Sequence, residues 1–347
     1  MLKHVDTSVG ESAGSQERPA ESMQNTIVLE EHFAILDTVQ DAAPFCPPEH
    51  WPELKGRLLK ATDRRLQEMD KHGVEMMVMS LNAPAIQSIP QPAKALEIAR
   101  RANDTLGEEI AGHPERFRAF AALPMQDPQM AAIELERCVR DLGFVGALVN
   151  GFSERQGVDG PVFYDLPEYR PFWKTVERLG LPFYLHPRNP LEQDARIYEG
   201  HPWLMGPAWA FAQETAVHAL RFMASGLFDE CPRLNIILGH LGEGLPYSMW
   251  RVDHHTSWMK LHTYPAKESC GDYFERNFFL TTSGNFNTQS LLDALLVIGS
   301  NRLLFSVDWP FEDVSDATDW FEGILLSHGD KQKIGRENAL KLMKIVP

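Results

Sequence analysis

Ile27-Val28-Leu29-Glu30-Glu31-His32-Phe33 is the first of eight short apolar runs, and three consecutive polar side chains interrupt its end. The others are Met76–Asn82, Phe117–Pro124, Gly146–Phe152, Pro182–Pro187, Asn235–Gly242, Phe278–Asn285 and Arg302–Pro310. They are rich in Val, Ile, Leu and Phe, as strands buried on both faces are. Most precede a stretch with helical spacing, such as Ala93–Gly112, Pro128–Leu142, Ala212–Phe228, Thr288–Ile298 and Asp316–Ser327. Strands alternating with helices form a parallel sheet. A doubly wound sheet needs about five or six strands, whereas eight strand–helix units close a ring. The expected fold is therefore α/β, a (β/α)8 TIM barrel, with a last helix, Lys331–Ile345, packed outside it.

The flanking sequence fits one such barrel. Residues 1–25 are polar and aperiodic, which predicts a disordered extension ahead of a single domain over residues 26–347. The extension lacks the apolar segment of a secretory signal, and its acids argue against a mitochondrial transit peptide. Met23, just before the first run, is a candidate alternative start. The hydrophobic fraction of 44% and charged fraction of 23% exclude a wholly disordered or fibrous chain. With 33 basic and 48 acidic residues the net charge is −15, which disfavours nucleic acid and anionic membranes as partners. No apolar run approaches the ~18 residues of a membrane span. Cys46, Cys138, Cys231 and Cys270 stand far apart without a CxxC pair, as reduced thiols in a cytoplasm would.

In such barrels the active site lies at the C-terminal ends of the strands. There the first run carries Glu30 and His32 on one face and Glu31 on the other, the fifth carries His186, the sixth His240 and Glu243, and the eighth Asp308. Polar groups converging in an apolar interior need a shared partner. Glu30, His32, His186 and Asp308 are two imidazoles and two carboxylates, a set that suits one divalent ion, Mn²⁺ or Zn²⁺ ahead of Mg²⁺. The fourth run ends Leu148-Val149-Asn150-Gly151 and offers no anionic bridge for a second metal. Glu243, three residues beyond His240, is placed to orient its imidazole.

Glu-x-His on strand 1, Tyr184-Leu185-His186-Pro187-Arg188-Asn189-Pro190, Gly239-His240-Leu241-Gly242-Glu243-Gly244 and Ser306-Val307-Asp308-Trp309-Pro310 resemble the amidohydrolase superfamily. Within it they resemble the non-oxidative, metal-dependent aromatic acid decarboxylases, nearest to those acting on γ-resorcylate (2,6-dihydroxybenzoate). The likeness runs from Ile27 to Ile345. Glu30 stands where hydrolases of the superfamily commonly carry the first His of a His-x-His, a replacement usual in the decarboxylase branch.

The resemblance implies a cytoplasmic carboxy-lyase that reversibly converts γ-resorcylate to resorcinol and CO₂, with 2,3-dihydroxybenzoate and salicylate as further substrates. Direct loss of CO₂ would leave an aryl anion orthogonal to the ring π system, so protonation of the ring carbon must come first. That requires a Lewis acid gripping carboxylate and ortho oxygen, a proton donor, and a clamp on the ring. The resemblance assigns Asp308 as the donor, with His240 and Glu243 beside it. It also implies a homotetramer in which Arg251 binds the substrate carboxylate of a neighbouring subunit, since a helix opening near Gly244 aims Arg251 away from its own barrel mouth. Phe45, in a Pro-rich loop, matches an aromatic folded over the ring, and Asn82, at the end of strand 2, is a candidate for a ring hydroxyl. The alternative reading is a hydrolase of a lactone or amide using the same metal to activate water.

Overall fold

β1 (Thr26–Phe33) is buried along its whole length, as its unbroken apolar start requires. The computed structural model describes residues 25–60, 62–259 and 264–346. Residues 1–24, which hold most of the expected disordered extension and Met23, lie outside the described residues. Seven further strands follow: β2 (Val74–Leu81), β3 (Phe117–Ala119), β4 (Ala147–Asn150), β5 (Phe183–His186), β6 (Ile236–Leu238), β7 (Phe278–Thr281) and β8 (Leu303–Leu304). Each falls within or overlaps one of the eight apolar runs. All neighbouring pairs are parallel and in chain order, as one ladder of β1–β2–β3 and one of β4 through β8.

Two seams complete the ring. At the first, Ala121 bridges Ala147, and Leu148 donates to the Ala121 carbonyl. At the second, between β8 and β1, the Ser306 hydroxyl accepts from the N–H groups of Leu29 (3.0 Å) and Glu30 (2.8 Å), and His32 N–H donates to Trp309 O (2.7 Å). Regular β8 is two residues long because Thr282 Oγ1, not a backbone group, pairs with both the N–H and the carbonyl of Ser306. The result is a (β/α)8 barrel.

The helices are α1 (Trp51–Leu59), α2 (Asp63–His72), α3 (Pro92–Ile110), α4 (Pro128–Asp141), α5 (Arg170–Leu179), α6 (Ala210–Ala224), α7 (Leu227–Glu230), α8 (Leu245–Met259), α9 (Cys270–Asn277), α10 (Thr288–Ile298), α11 (Val314–Gly323), α12 (His328–Gln332) and α13 (Asn338–Met343). Strand residues such as Val28, Met77, Val149 and Leu238 face the helices and form the larger core. Ile27, Leu29, Met76, Val78, Leu148 and Ile237 fill the barrel interior.

The C-terminal segment departs from expectation. It is α12, a π-turn over Lys333–Glu337 and then α13, instead of one helix outside the ring. Ala339, Leu342, Met343 and Ile345 pack against the interior cluster, so this segment covers the end of the barrel opposite the site, where apolar side chains would otherwise meet water. The excursion between β1 and α2 has a small core of its own, formed by Ala34, Val39, Ala42, Leu54 and Leu58. Among the described residues, no helix is long and apolar enough to cross a membrane.

Candidate active site

A β-bulge in β1 aims the first donors. Pairing passes from Val28–Met77 to Glu31–Met79, so β1 carries one residue more than β2 over this stretch. Alternation resets at the bulge, so Leu29 and Glu30 both reach the interior. Glu30 is fully buried and held from one side: Tyr184 OH and Ser283 Oγ both donate to its Oε2. Thr281 Oγ1 links those two hydroxyls at 2.8 Å each. Gly239 makes the room, since a Cβ there would lie 2.8 Å from Glu30 Oε2.

Oε1 of Glu30 is left facing the site. His186 Nε2 lies 3.1 Å from it, His240 Nε2 3.7 Å and His32 Nε2 4.0 Å. Asp308 Oδ1 is 3.3 Å from His32 Nε2, and its Oδ2 is 3.7 Å from His240 Nε2. The imidazole orientations follow from the far nitrogens. His186 Nδ1 meets Pro187 O (3.0 Å), His240 Nδ1 meets Glu243 Oε1 (2.8 Å) and His32 Nδ1 meets Ser80 Oγ (3.3 Å). The tautomer assigned from the Pro187 partner turns the His186 Nε2 lone pair inward, and Glu243 fixes the plane of His240.

Glu30 Oε1 and His32 Nε2 are buried atoms with no hydrogen-bond partner. Two lone-pair-bearing atoms left so close together, beside further imidazole nitrogens and a carboxylate, fit a cation and disfavour any neutral filling. Two groups converge closely enough to share one ion, Glu30–His32–His186 and Glu30–His240–Asp308, with all donor atoms of each within 4.8 Å of one another. The electrostatics agree. Burial alone would raise the Glu30 carboxyl, but the imidazoles of His240, His186 and His32 outweigh it and hold the group well below the ordinary range. Burial opposes charge on His240 too, yet Glu243, Glu30 and Asp308 raise its imidazole well above the ordinary value.

The backbone around these donors is left-handed. His240, Leu241, Gly242, Glu243 and Gly244 have φ of 52°, 58°, 86°, 56° and 75°, and Asp308 has φ 83°. Such angles are costly for residues with a Cβ and concentrate at functional sites. Gly284 accommodates the crowding, for a Cβ there would lie 3.0 Å from His240 and 3.2 Å from Asp308.

His32, His186, His240 and Asp308 open into a cavity of about 520 Å³ whose apolar wall includes Phe45, Phe211 and Phe311. Phe45 lies edge-on to Phe211, with ring centroids 5.2 Å apart. A model of the amidohydrolase family matches residues 43–345. The chain belongs to that family. It is 64% identical over 324 residues to a γ-resorcylate decarboxylase of Rhizobium sp. (strain MTP-10005), spanning 93% of this chain and 99% of that one. The fold matches the crystal structure of a 2,6-dihydroxybenzoate decarboxylase complexed with 2,6-dihydroxybenzoate at a TM-score of 0.91 and 64% identity, covering 93% of this chain and 100% of that one. It also matches a dihydroxybenzoic acid decarboxylase from Polaromonas sp. JS666 with bound manganese and the inhibitor 2-nitroresorcinol, at a TM-score of 0.91 and 61% identity, with coverages of 93% and 98%.

Not every residue expected at this amidohydrolase site lies in it. Asn82 is buried, but its amide is spent on Thr38: Nδ2 donates to Thr38 O (2.9 Å), and Oδ1 accepts from Thr38 Oγ1 (2.8 Å). It is absent from the cavity wall, and these bonds tie the β1 excursion to β2. Arg251 sits on α8 in solvent, outside the cavity of its own chain. Reading strand ends missed Tyr184, Thr281, Ser283 and Ser306. The polar triplet Thr281-Thr282-Ser283 at the end of the seventh run was a legible signal, whereas Tyr184 looks like core in any sequence.

Proposed function

We propose that this enzyme reversibly decarboxylates γ-resorcylate to resorcinol and CO₂, with Glu30, His32, His186 and Asp308 holding one divalent ion. The observation that carries this reading is the pair of unpartnered buried atoms, Glu30 Oε1 and His32 Nε2, beside Asp308 in a chain 64% identical to a γ-resorcylate decarboxylase. Mn²⁺, present in a relative of 61% identity, is favoured over Zn²⁺ by the two carboxylates; when bound it supplies the Lewis acid that grips the substrate's carboxylate and ortho oxygen.

The chain's own groups supply the rest. Asp308 delivers a proton to the ring carbon that bears the carboxylate, and C–C cleavage then restores aromaticity. His240, held by Glu243 and 3.7 Å from Asp308 Oδ2, holds the proton that replenishes it. Phe45, Phe211 and Phe311 exclude water and keep the ring over Asp308. A homotetramer, with Arg251 reaching a neighbour's substrate, is supported by α8 itself. Tyr247, Trp250 and Trp258 on that helix are 87%, 74% and 77% exposed, an aromatic stripe that a lone subunit leaves in water. A single barrel domain and a cytoplasmic setting complete the reading, the latter in keeping with four free cysteines.

The test is a panel of hydroxybenzoates offered to Mn²⁺-replete enzyme, scored for CO₂ and phenol. γ-Resorcylate should be converted fastest, and Asp308→Asn should abolish turnover while metal stays bound. Absence of CO₂ from every substrate overturns the activity; a substantial rate in Asp308→Asn removes that residue from the mechanism.

A further inference from the structure

Glu31 is fully buried beside the site, yet the reaction described above gives it nothing to do. Its carboxylate faces away from the cavity and grips the chain on both sides of Asp308. Oε1 accepts from Val307 N–H (3.2 Å) and Ser306 Oγ (3.3 Å), and Oε2 accepts from Trp309 N–H (3.3 Å). Asp308 lies between those two N–H groups in the left-handed conformation, φ 83°, that a residue with a Cβ adopts only when its surroundings impose it. Arg65 of α2 is also fully buried against the same segment. It donates to the His32 carbonyl, and its guanidinium stacks 4.0 Å over the Trp309 ring. The same few residues therefore join the backbone of His32 to the backbone flanking Asp308.

We propose that Glu31 is a positioning residue that fixes the Asp308 carboxyl for proton delivery, by bonding the N–H groups on either side of it. A buried carboxylate that served stability alone could bond any donors. This one takes the two N–H groups that flank the acid, while the carbonyls of the same segment are held by others, Val307 O by Gly284 N–H (3.1 Å) and Trp309 O by His32 N–H (2.7 Å). Proton transfer tolerates misplacement poorly, and a displacement of about 1 Å lowers a rate by about 100-fold. The effect of losing Glu31 should therefore fall on kcat, measured with Mn²⁺ saturating because Asp308 is itself a proposed metal ligand.

The inference rests on the proposed role of Asp308, and the experiment separates the two. Glu31→Gln keeps the shape but offers one acceptor oxygen where two N–H groups need one each. It should lower kcat by about 10- to 100-fold, with KM within about threefold of the parent and one metal per chain retained. Leu106→Ala, a truncation in α3 remote from the seam, serves as a control of comparable thermal destabilisation and should keep its kcat at a temperature where both variants are folded. Should Glu31→Gln fail to fold, Glu31→Asp, which keeps the carboxyl but shortens its reach, carries the same expectations. A kcat within twofold of the parent overturns the proposal, as does a loss of kcat matched by loss of metal. If Asp308→Asn is inactive while Glu31→Gln is not, only the positioning inference fails; if Asp308→Asn stays active, the assignment of the acid fails first.

Discussion

Glu30 shows how a single side chain is made into a donor with one usable oxygen. Two hydroxyls occupy Oε2, and Oε1 is left over. Burial and the adjoining Glu30 carboxylate raise the Tyr184 phenol well above its ordinary value, so it remains a donor throughout the working range. Tyr184→Phe keeps the ring that packs near Phe120 and removes only the hydroxyl. Outer hydrogen bonds of this kind typically matter by about 10- to 100-fold in metal affinity, so Mn²⁺ titration followed by electron paramagnetic resonance should show a loss of that size with the fold intact. An unchanged affinity would mean that Ser283 alone suffices. The acids and imidazoles at this scale were legible because His, Glu and Asp are rare in apolar strand ends. Tyr184 and the Asn82–Thr38 pairing were not: a tyrosine among Leu and Phe reads as packing, and a paired amide cannot be told from a free one without coordinates.

The eight strands could be read from composition because each is buried on both faces. Their ends could not, since regular pairing stops wherever a side-chain hydroxyl replaces a backbone partner, as Thr282 does at Ser306. The destination of the last helical segment was also illegible: an amphipathic helix fits the outer ring and the barrel floor equally well. One helix carries a pH consequence. His218 on α6 is packed among Phe163, Tyr164 and Phe222 with Arg221 nearby, and its Nε2 accepts from Tyr164 N–H. Burial, reinforced by Arg221, lowers its pKa to about 3. The unfolded chain takes up this proton near pH 6.5 and the folded one does not, so the contribution of His218 is complete above about pH 6.5 and is lost as pH falls toward 3, by up to about 1.4 kcal/mol per pH unit. Urea midpoints at pH 7 and pH 5 should therefore lie closer together in His218→Gln than in the parent. Equal spacing would assign the acid sensitivity elsewhere.

The whole molecule bears a charge of −15 yet is proposed to bind a small anion, so the attraction must be local. In the proposed assembly the cation supplies part of it and Arg251 of a second copy the rest. A charge-assisted contact contributes about 1.5–3 kcal/mol, or about 10- to 100-fold in binding. Arg251→Ala should raise KM by that factor with metal content unchanged and the tetramer intact by sedimentation; unaltered kinetics in the intact assembly would return Arg251 to the surface. The excursion after β1, which carries Phe45, stands apart in a different sense. Its small core is separate from both barrel clusters, and its ties to the ring include Ala34 to Leu58, Thr38 to Asn82 and Arg57 to Asp313. Loosening this flap exposes little of the barrel's own interior, so it is expected to open as a unit of its own ahead of the barrel. Mild heat or urea can then silence the catalyst by opening its door while the walls stand, and cooling or dilution needs only to shut that door again.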